Sequence, residues 1–230
     1  MFVYTVKQMG NSLLKKSFNI IMKQRLYSFF GSNTPLYIIF GLLAVPFLIE
    51  FLNLPWGHEG YEHFLKETGE FAARFLVITL LISPLRILFP KNGLLTWMHK
   101  RKRAFGIYTF VFSALHLAGY LTEHYAIGHI IGEMGEEPSV LFGWAAFIIF
   151  LPLALTSNNF SVRMMRGKKW KYLQRFVYLA ALLVAVHWFW GDHGLNWTPV
   201  LIHFIPLLLL ELYRIYHNMR QSSQGQFAFN

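Results

Sequence analysis

The chain has 230 residues, of which 55% are hydrophobic and only 14% are charged, and the apolar residues are grouped in long runs. This composition excludes an ordinary soluble domain, and the absence of cysteine excludes disulfides and every cofactor that is held by thiolates. The net charge of +10 comes from basic residues beside the apolar runs, a pattern that orients membrane helices more often than it binds nucleic acid.

Residues 1–34 are predicted to form a basic segment that precedes the membrane domain. The stretch NSLLKKSFNIIMKQRLYSFFG (11–31) interleaves lysines with Leu, Ile and Phe, and it has no uninterrupted apolar core of the signal-peptide type. Two forms of this segment remain open on the residues alone. It is either an amphipathic helix on the inner leaflet or a flexible cytoplasmic tail.

Six apolar segments follow, and each is close to the length that a helix needs to cross a bilayer. They occupy approximately residues 36–52, 72–90, 104–122, 140–156, 174–190 and 198–214. Trp and Tyr residues near their ends anchor the shorter ones at the interfaces. The sequence therefore predicts an all-α polytopic membrane protein. A six-helix transmembrane domain covers residues 35–216, and a polar cytoplasmic tail covers residues 217–230.

The connecting segments alternate in charge. Four of them hold 19 of the 21 Lys and Arg residues and no Asp or Glu: 1–34, 86–103, 157–175 and 214–230. The other connecting segments hold nine acidic residues. The positive-inside rule places the basic segments and both termini in the cytoplasm. Their basic runs are expected to contact anionic lipid headgroups, with a docking surface for a cytoplasmic partner as the alternative.

Three of the ten histidines lie within apolar spans: His116, His187 and His203. His116 follows the inner boundary residue Arg103, and His187 follows Arg175, by nearly equal lengths of chain. At about 1.5 Å rise per residue, both imidazoles reach one level in the outer half of the membrane, about 20 and 18 Å from the inner boundary. Two such imidazoles on adjacent parallel helices could ligate one porphyrin iron from opposite faces, a site that favours electron transfer. A structural histidine pair that bonds neighbouring helices remains the alternative.

Two further residues are candidates at such a site. His203 on the sixth span is a substitute ligand or a neighbouring group. Arg74 enters the second span from the outside, where it would pair with a haem propionate or extend to the interface. Small residues on the third and fifth spans leave room beside the backbone, either for a flat macrocycle or for close helix packing. They are Gly106, Ala114, Gly119, Ala180, Ala181 and Ala185.

Three stretches carry a resemblance to a known family: TGEFAARFLVITLLISPLR (68–86), HKRKRAFGIYTFVFSALHLAGY (99–120) and LALTSNNFSVRMMRGKKWKYLQRFVYLAALLVAVHWFW (153–190). Together they resemble the haem-binding membrane subunit of the bacterial periplasmic methionine sulfoxide reductase system. This is the YedZ type within the ferric-reductase-like transmembrane superfamily. The resemblance covers roughly residues 60–219.

The resemblance implies a subunit of the bacterial inner membrane that carries b-type haem, and FMN is also associated with the family. Such a subunit takes electrons from the quinone pool or from a cytoplasmic flavin reductase. It passes them to a periplasmic molybdopterin-containing subunit that reduces methionine sulfoxide in damaged proteins. His116 and His187 match the family's outer haem ligands. At the inner haem level, where the family commonly has a further histidine on the fifth span, this chain has Gln174, and glutamine is a poor iron ligand.

Two other functions remain open. One is a stand-alone quinol or metal reductase of the same superfamily. The other is a small transporter or scaffold, in which the histidines are proton-relay or packing groups. Glu50 and Glu211 fall near span ends, which counts against ion coupling in mid-membrane. No Gly-rich nucleotide-binding motif is present, so we expect an electron-transfer subunit of an oxidoreductase complex rather than a complete enzyme.

Overall fold

The computed structural model describes residues 21–25, 28, 31–53, 58–123, 127–191 and 197–227. Most of the predicted N-terminal segment 1–34 lies outside these residues, so its form stays a prediction. Within the described residues the secondary structure is helical and contains no strand. Six of these helices are long and apolar enough to cross a membrane, as the sequence predicts.

The helices are numbered here in chain order, beginning with the first predicted span. They are α1 (Thr34–Asn53), α2 (His58–Leu88), α3 (Gly93–Lys100), α4 (Lys102–Glu123), α5 (Ile127–Glu136), α6 (Pro138–Leu155), α7 (Asn159–Met164), α8 (Lys168–Gln174), α9 (Val177–Gly191) and α10 (Thr198–Phe227). The spanning helices are α1, α2, α4, α6, α9 joined to the preceding α8, and α10. The chain divides into two compact units, residues 1–43 and 44–230, and every contact described below lies within the second.

Two helix pairs form the centre of the second unit. Helix α2 packs most extensively against α4, and α6 packs most extensively against α9. Helix α10 packs against α2, and α4 meets α6 along a shorter contact. Buried apolar side chains of α2, α6, α9 and α10 form one core cluster, which includes Leu76, Leu80, Phe150, Ala180 and Leu207.

Two helices extend beyond their predicted limits. Helix α2 begins at His58, well before the apolar run, because Glu and Lys in its first turns favour a helix as well as Leu does. Helix α10 continues to Phe227 and therefore through most of the segment predicted as a tail over 217–230. Met, Arg and Gln are also good helix formers, and no proline interrupts this stretch.

Polar side chains connect four helices at the basic end of the bundle. Lys102 Nζ on α4 donates a hydrogen bond to Ser83 Oγ on α2 at 2.8 Å. On α10, Arg214 lies 2.8 Å from the carboxylate of Glu211 and donates a hydrogen bond to the hydroxyl of Tyr178 on α9, also at 2.8 Å. Glu211 is buried. These contacts join α2 to α4 and α9 to α10 at that end of the fold.

Candidate functional site

His116 on α4 and His187 on α9 face each other between the two helix pairs. Their ring centroids lie 5.9 Å apart, and the ring planes are nearly perpendicular, at 82°. The sequence predicts that the two imidazoles lie at one depth in the membrane. In the structure they also lie close to each other. The helices that carry them belong to different pairs, so the rings meet across the space between α2–α4 and α6–α9.

Each imidazole is held by a backbone carbonyl of the other helix in its pair. His116 Nδ1 lies 2.9 Å from the carbonyl oxygen of Leu65 on α2. His187 Nδ1 lies 2.7 Å from the carbonyl oxygen of Ser139 on α6. A carbonyl oxygen only accepts hydrogen bonds, so Nδ1 carries the hydrogen in both rings. The Nε2 atom of each neutral ring then holds a free lone pair, as a metal ligand requires.

A cavity lies between α2, α4, α6 and α9, and both imidazoles line it. It encloses about 720 Å³ of empty space, including the part that opens to the outside. The lining side chains are small or apolar apart from the two histidines, Ser113, Tyr120 and Trp144.

The small residues that make this space differ from those that the sequence suggests. Gly69, Ala72 and Ala73 line the cavity from α2, and Gly143 and Ala146 line it from α6. The helices that face the histidines therefore provide the room, rather than the helices that carry them.

The small residues predicted on the third and fifth spans have packing roles instead. A Cβ atom at Gly119 would lie 2.8 Å from the ring of Phe64, so this glycine permits close contact between α2 and α4. Ala180 and Ala181 are buried in the core cluster. At these three positions the small residues therefore serve close helix packing and do not make room for a macrocycle.

Arg74 forms an ion pair with Glu70 one turn earlier on α2, and its guanidinium group lies 5.6 Å from the centroid of the Phe71 ring. It does not line the cavity. The ion pair explains how an arginine is accommodated in this helix without a bound anion. A role for Arg74 toward a propionate stays a prediction.

His203 and Gln174 also lie outside the cavity lining. His203 Nδ1 bonds the carbonyl oxygen of Pro199 within its own helix at 2.7 Å, and its ring lies 5.3 Å from that of Trp188. Gln174 Nε2 donates to the carbonyl oxygen of Leu153 at 3.1 Å and lies 3.4 Å from the hydroxyl of Thr156. The cavity therefore brings together two of the five predicted site residues.

Trp144 on α6 is a site residue that the sequence analysis does not identify. Its indole Nε1 is buried and has no hydrogen-bond partner within the described part of the chain. Val140, Gly143, Trp144 and Phe147 all line the cavity, and their spacing of three and four residues places them on one helix face. That spacing is the only signal in the sequence, and any packed helix gives it.

Tyr120 and Ser113, both on α4, have partners. The Tyr120 hydroxyl donates a hydrogen bond to Glu133 on α5, and Ser113 Oγ donates to the carbonyl oxygen of Thr109 at 2.8 Å. No group of three or more His, Asp or Glu side chains within the described ranges could hold a bare metal ion. The two imidazoles that line the cavity are its only histidine side chains within the described ranges.

Comparison with known proteins identifies the family. The family described as ferric reductase like transmembrane component matches residues 68–185, which is about half of the chain. The chain belongs to this family. The matched region of this ferric reductase-like chain includes His116, Gly69 and Gly143. No solved structure matches the chain.

Several curated relatives of this ferric reductase-like chain have one name, the haem-binding subunit MsrQ of protein-methionine-sulfoxide reductase. The relative from Herminiimonas arsenicoxydans is 30% identical over 81% of this chain and 83% of its own length. The relative from Deinococcus radiodurans is 32% identical, over 73% and 84%. The relative from Salmonella arizonae is 36% identical, over 70% and 78%. The resemblance drawn from the three sequence stretches is confirmed.

Proposed function

We propose that the chain is the haem-binding membrane subunit of a methionine sulfoxide reductase system, in which His116 and His187 would hold one b-type haem through their imidazole nitrogens. The observation that carries the proposal is the 5.9 Å between the ring centroids. With a metal–imidazole bond of about 2.0–2.1 Å on each side, two imidazoles that held one iron would have their ring centres at a spacing of roughly 6 Å. The spacing of the pair is thus that of two rings on one iron.

Three features of the cavity fit a porphyrin. The Nδ1 bonds to Leu65 and Ser139 leave both Nε2 lone pairs free for the iron. Gly69 and Gly143 keep the space beside the rings clear, since a Cβ atom at either position would approach the imidazole to about 3 Å. The unpartnered indole N–H of Trp144 is a donor for a carboxylate. Haem held by these two histidines would supply one-electron redox chemistry.

In this proposal the protein holds and orients the two imidazoles and excludes water from the cavity. His116 and His187 are fixed by backbone carbonyls of rigid helices, which limits the movement of both rings between oxidation states. Apolar side chains such as Leu76, Phe147 and Phe150 line the rest of the cavity and exclude water. Such an environment favours electron transfer over ligand chemistry at the metal.

The other predicted site residues receive supporting roles in this proposal. Trp144 replaces Arg74 as the first candidate for a propionate partner, since Arg74 already pairs with Glu70. Gln174 fixes the end of α6 through Leu153, at the level where the family resemblance implies an inner haem. We therefore propose one haem per chain.

The proposed direction of electron flow follows from the charge map and the relatives' names. The basic connecting segments orient their end of the bundle toward the cytoplasm, in the bacterial inner membrane. The donor is then quinol from the membrane or a cytoplasmic flavin reductase, and FMN is a second cofactor that the family resemblance implies. The acceptor is a periplasmic molybdopterin-containing methionine sulfoxide reductase subunit. This assignment rests on relatives named as subunits of that reductase.

Haem content tests the ligand assignment. We expect purified subunit to contain one haem per chain by the pyridine haemochrome assay, with a six-coordinate low-spin spectrum. His116→Ala and His187→Ala should each lose that spectrum, whereas the control His203→Ala should keep it. Folded wild-type protein without haem would contradict the proposal, and so would a loss of haem in His203→Ala that equals the loss in the ligand variants.

Electron transfer tests the partner assignment. The subunit in nanodiscs is reduced with a quinol, and its reoxidation is followed after addition of the purified reductase subunit and methionine sulfoxide. We expect reoxidation that depends on both additions. A haem-loaded subunit that is reoxidised equally without the reductase subunit would instead be a stand-alone quinol or metal reductase.

A further inference from the structure

The two histidine contacts repeat one arrangement on separate helices. His116 bonds the carbonyl oxygen of Leu65, and Gly69 lies one helical turn after Leu65 on α2. His187 bonds the carbonyl oxygen of Ser139, and Gly143 lies one helical turn after Ser139 on α6. In both cases the glycine is at position i+4 from the carbonyl, and the imidazole lies against it.

The i+4 spacing has a physical reason. In an α-helix, the carbonyl of residue i already accepts the N–H of residue i+4. A second donor must reach that oxygen from the side of the helix, close to the Cβ position of residue i+4. The hydroxyls of serine and threonine at i+4 reach the carbonyl of residue i by this route. Glycine at i+4 leaves this approach open. The imidazole takes the space and supplies the second hydrogen bond.

At both positions a Cβ atom would fit only if the neighbouring imidazole shifted. A Cβ atom at position 69 would lie 3.0 Å from His116 Nδ1 and 3.1 Å from its Cε1. A Cβ atom at position 143 would lie 2.9 Å from His187 Nδ1 and 3.0 Å from its Cε1. In each case the nearest atom is the nitrogen that donates to the carbonyl. Alanine would therefore displace the ring along the direction that lengthens this hydrogen bond.

We propose that Gly69 and Gly143 are positioning residues that set the redox potential of the haem, by keeping the Leu65 and Ser139 carbonyls within reach of the axial histidines. This inference rests on the proposed function. A strong Nδ1–H···O bond increases the basicity of Nε2, which stabilises the oxidised iron and lowers the potential. Weakening either bond therefore raises the potential and loosens the ligand.

The chain contains two matched control positions, both on α4 with His116. A Cβ atom at Gly119 would lie 2.8 Å from the Phe64 ring and 3.1 Å from Leu65 Cδ2, so Gly119→Ala crowds the contact between α2 and α4 without contacting either imidazole. A Cβ atom at Gly106 would have its nearest contact at 3.9 Å, with Thr79, so Gly106→Ala introduces an extra methyl group without crowding. Both controls should keep the wild-type potential, and only Gly119→Ala should lower the thermal unfolding midpoint.

The experiment measures the midpoint potential and the rate of haem transfer to apomyoglobin for the purified holo subunit in detergent. For Gly69→Ala and Gly143→Ala we expect a higher potential, with about a tenfold change in the reduced-to-oxidised ratio, or about 59 mV for one electron. We expect haem transfer about 10–100 times faster than in the wild type. Values equal to those of Gly106→Ala would overturn the inference. A shift in potential in Gly143→Ala no larger than that in Gly119→Ala would also overturn it, because the crowding at Gly119 does not involve the contact of His187 with Ser139.

A second variant and a measurement on the wild-type protein allow the inference to be tested even if one variant does not fold. The two glycines lie on different helices, so a failure of one variant to fold leaves the other to be measured. In the wild-type holo subunit, electron–nuclear double resonance in D₂O should show two axial Nδ1 protons that exchange slowly, because carbonyls shield them from water. Rapid exchange of both would contradict the inference. A wild-type subunit that binds no haem would refute the proposed function itself.

Discussion

The imidazole planes of His116 and His187 are inclined at 82° to each other, with their centroids 5.9 Å apart. The angle follows from the carbonyls that hold them, because Leu65 lies on α2 and Ser139 lies on α6, and the two carbonyls fix the rotation of the two rings separately. The relative orientation of the two imidazoles is therefore set by the backbone of the fold.

The first prediction concerns the electron paramagnetic resonance spectrum of the oxidised haem. The π orbital of each imidazole overlaps mainly with one of the two iron dπ orbitals, and the orientation of the ring plane decides which one. With perpendicular planes the two orbitals remain close in energy. We expect a strongly anisotropic low-spin signal with a large gmax, rather than the rhombic signal of parallel planes. Low-temperature spectra of the purified oxidised subunit measure this, and a purely rhombic signal would contradict the geometry.

Much of this fold can be predicted from the sequence, because hydrophobicity and charge determine where the spanning helices lie. Six apolar segments and the alternation of basic and acidic loops are enough to give the spanning helices, and a constant rise per residue brings His116 and His187 to one depth. Helix pairing is not encoded in this way. The sequence leaves open whether the third and fifth spans are adjacent, and in the structure α4 and α9 pack most extensively against α2 and α6.

The site is less predictable than the fold, for a physical reason. The histidines are held by the backbone carbonyls of Leu65 and Ser139, and a carbonyl acceptor exists at every residue. The accompanying glycines also have no distinctive signal, since glycine is frequent in membrane helices. Trp144 is recognisable only from its unpartnered N–H, which is a property of the folded chain.

The second prediction tests Trp144 as a hydrogen-bond donor to a haem carboxylate. Trp144→Phe keeps an aromatic ring in the cavity wall but removes the N–H. A hydrogen bond to a charged group contributes about 1.5–3 kcal/mol, so we expect haem transfer to apomyoglobin to accelerate about tenfold or more. The control is Trp188→Phe, because Trp188 contacts His203 and does not line the cavity.

Reconstitution with the dimethyl ester of haem identifies the acceptor in this second prediction. The ester lacks the carboxylates, so wild type and Trp144→Phe should release it at similar rates. If Trp144→Phe accelerates the release of haem and of its ester by the same factor, Trp144 acts through packing rather than through a carboxylate.

The third prediction concerns Gln174, which the sequence analysis places at a cofactor level. Gln174→Ala removes the hydrogen bond to Leu153 and the contact with Thr156, each worth about 1 kcal/mol. We expect a lower thermal unfolding midpoint with unchanged haem content and absorption spectrum. A variant with less haem per folded chain would show that Gln174 contributes to the cofactor site.

The fourth prediction is a pH dependence that arises at His99, on the short helix α3 outside the spanning segments. Burial, followed by the nearby charges of Arg86 and Lys102, holds the pKa of His99 below its usual value of 6.5. As the pH falls below about 6.5, His99 is therefore protonated more readily in the unfolded chain than in the folded chain. Stability should fall as the pH decreases through about 6.5 and be unaffected well above it. Thermal midpoints from pH 8 to pH 5 measure this, and His99→Gln should flatten the curve at its acidic end.

The fifth prediction concerns Glu211, the buried carboxylate at the basic end of the bundle. It lies 2.8 Å from Arg214, and its charge also acts on Lys102, so Glu211→Leu leaves two cations without their anion in an apolar environment. Breaking a buried ion pair on one side costs on the order of 3–5 kcal/mol. We expect a large drop in the thermal midpoint. Glu136→Leu, which removes an exposed carboxylate at the opposite end, should have little effect.

The double variant Glu211→Leu with Arg214→Leu separates the charge effect in this fifth prediction from packing. Removing both partners takes away the uncompensated charge of Arg214, so most of the lost stability should return, even though Arg214 also bonds Tyr178. If the double variant is less stable than Glu211→Leu alone, the contact between α10 and α9 through Tyr178 matters more than the ion pair. Because α10 contributes no residue to the cavity lining, haem content per folded chain should stay at the wild-type value in all of these variants.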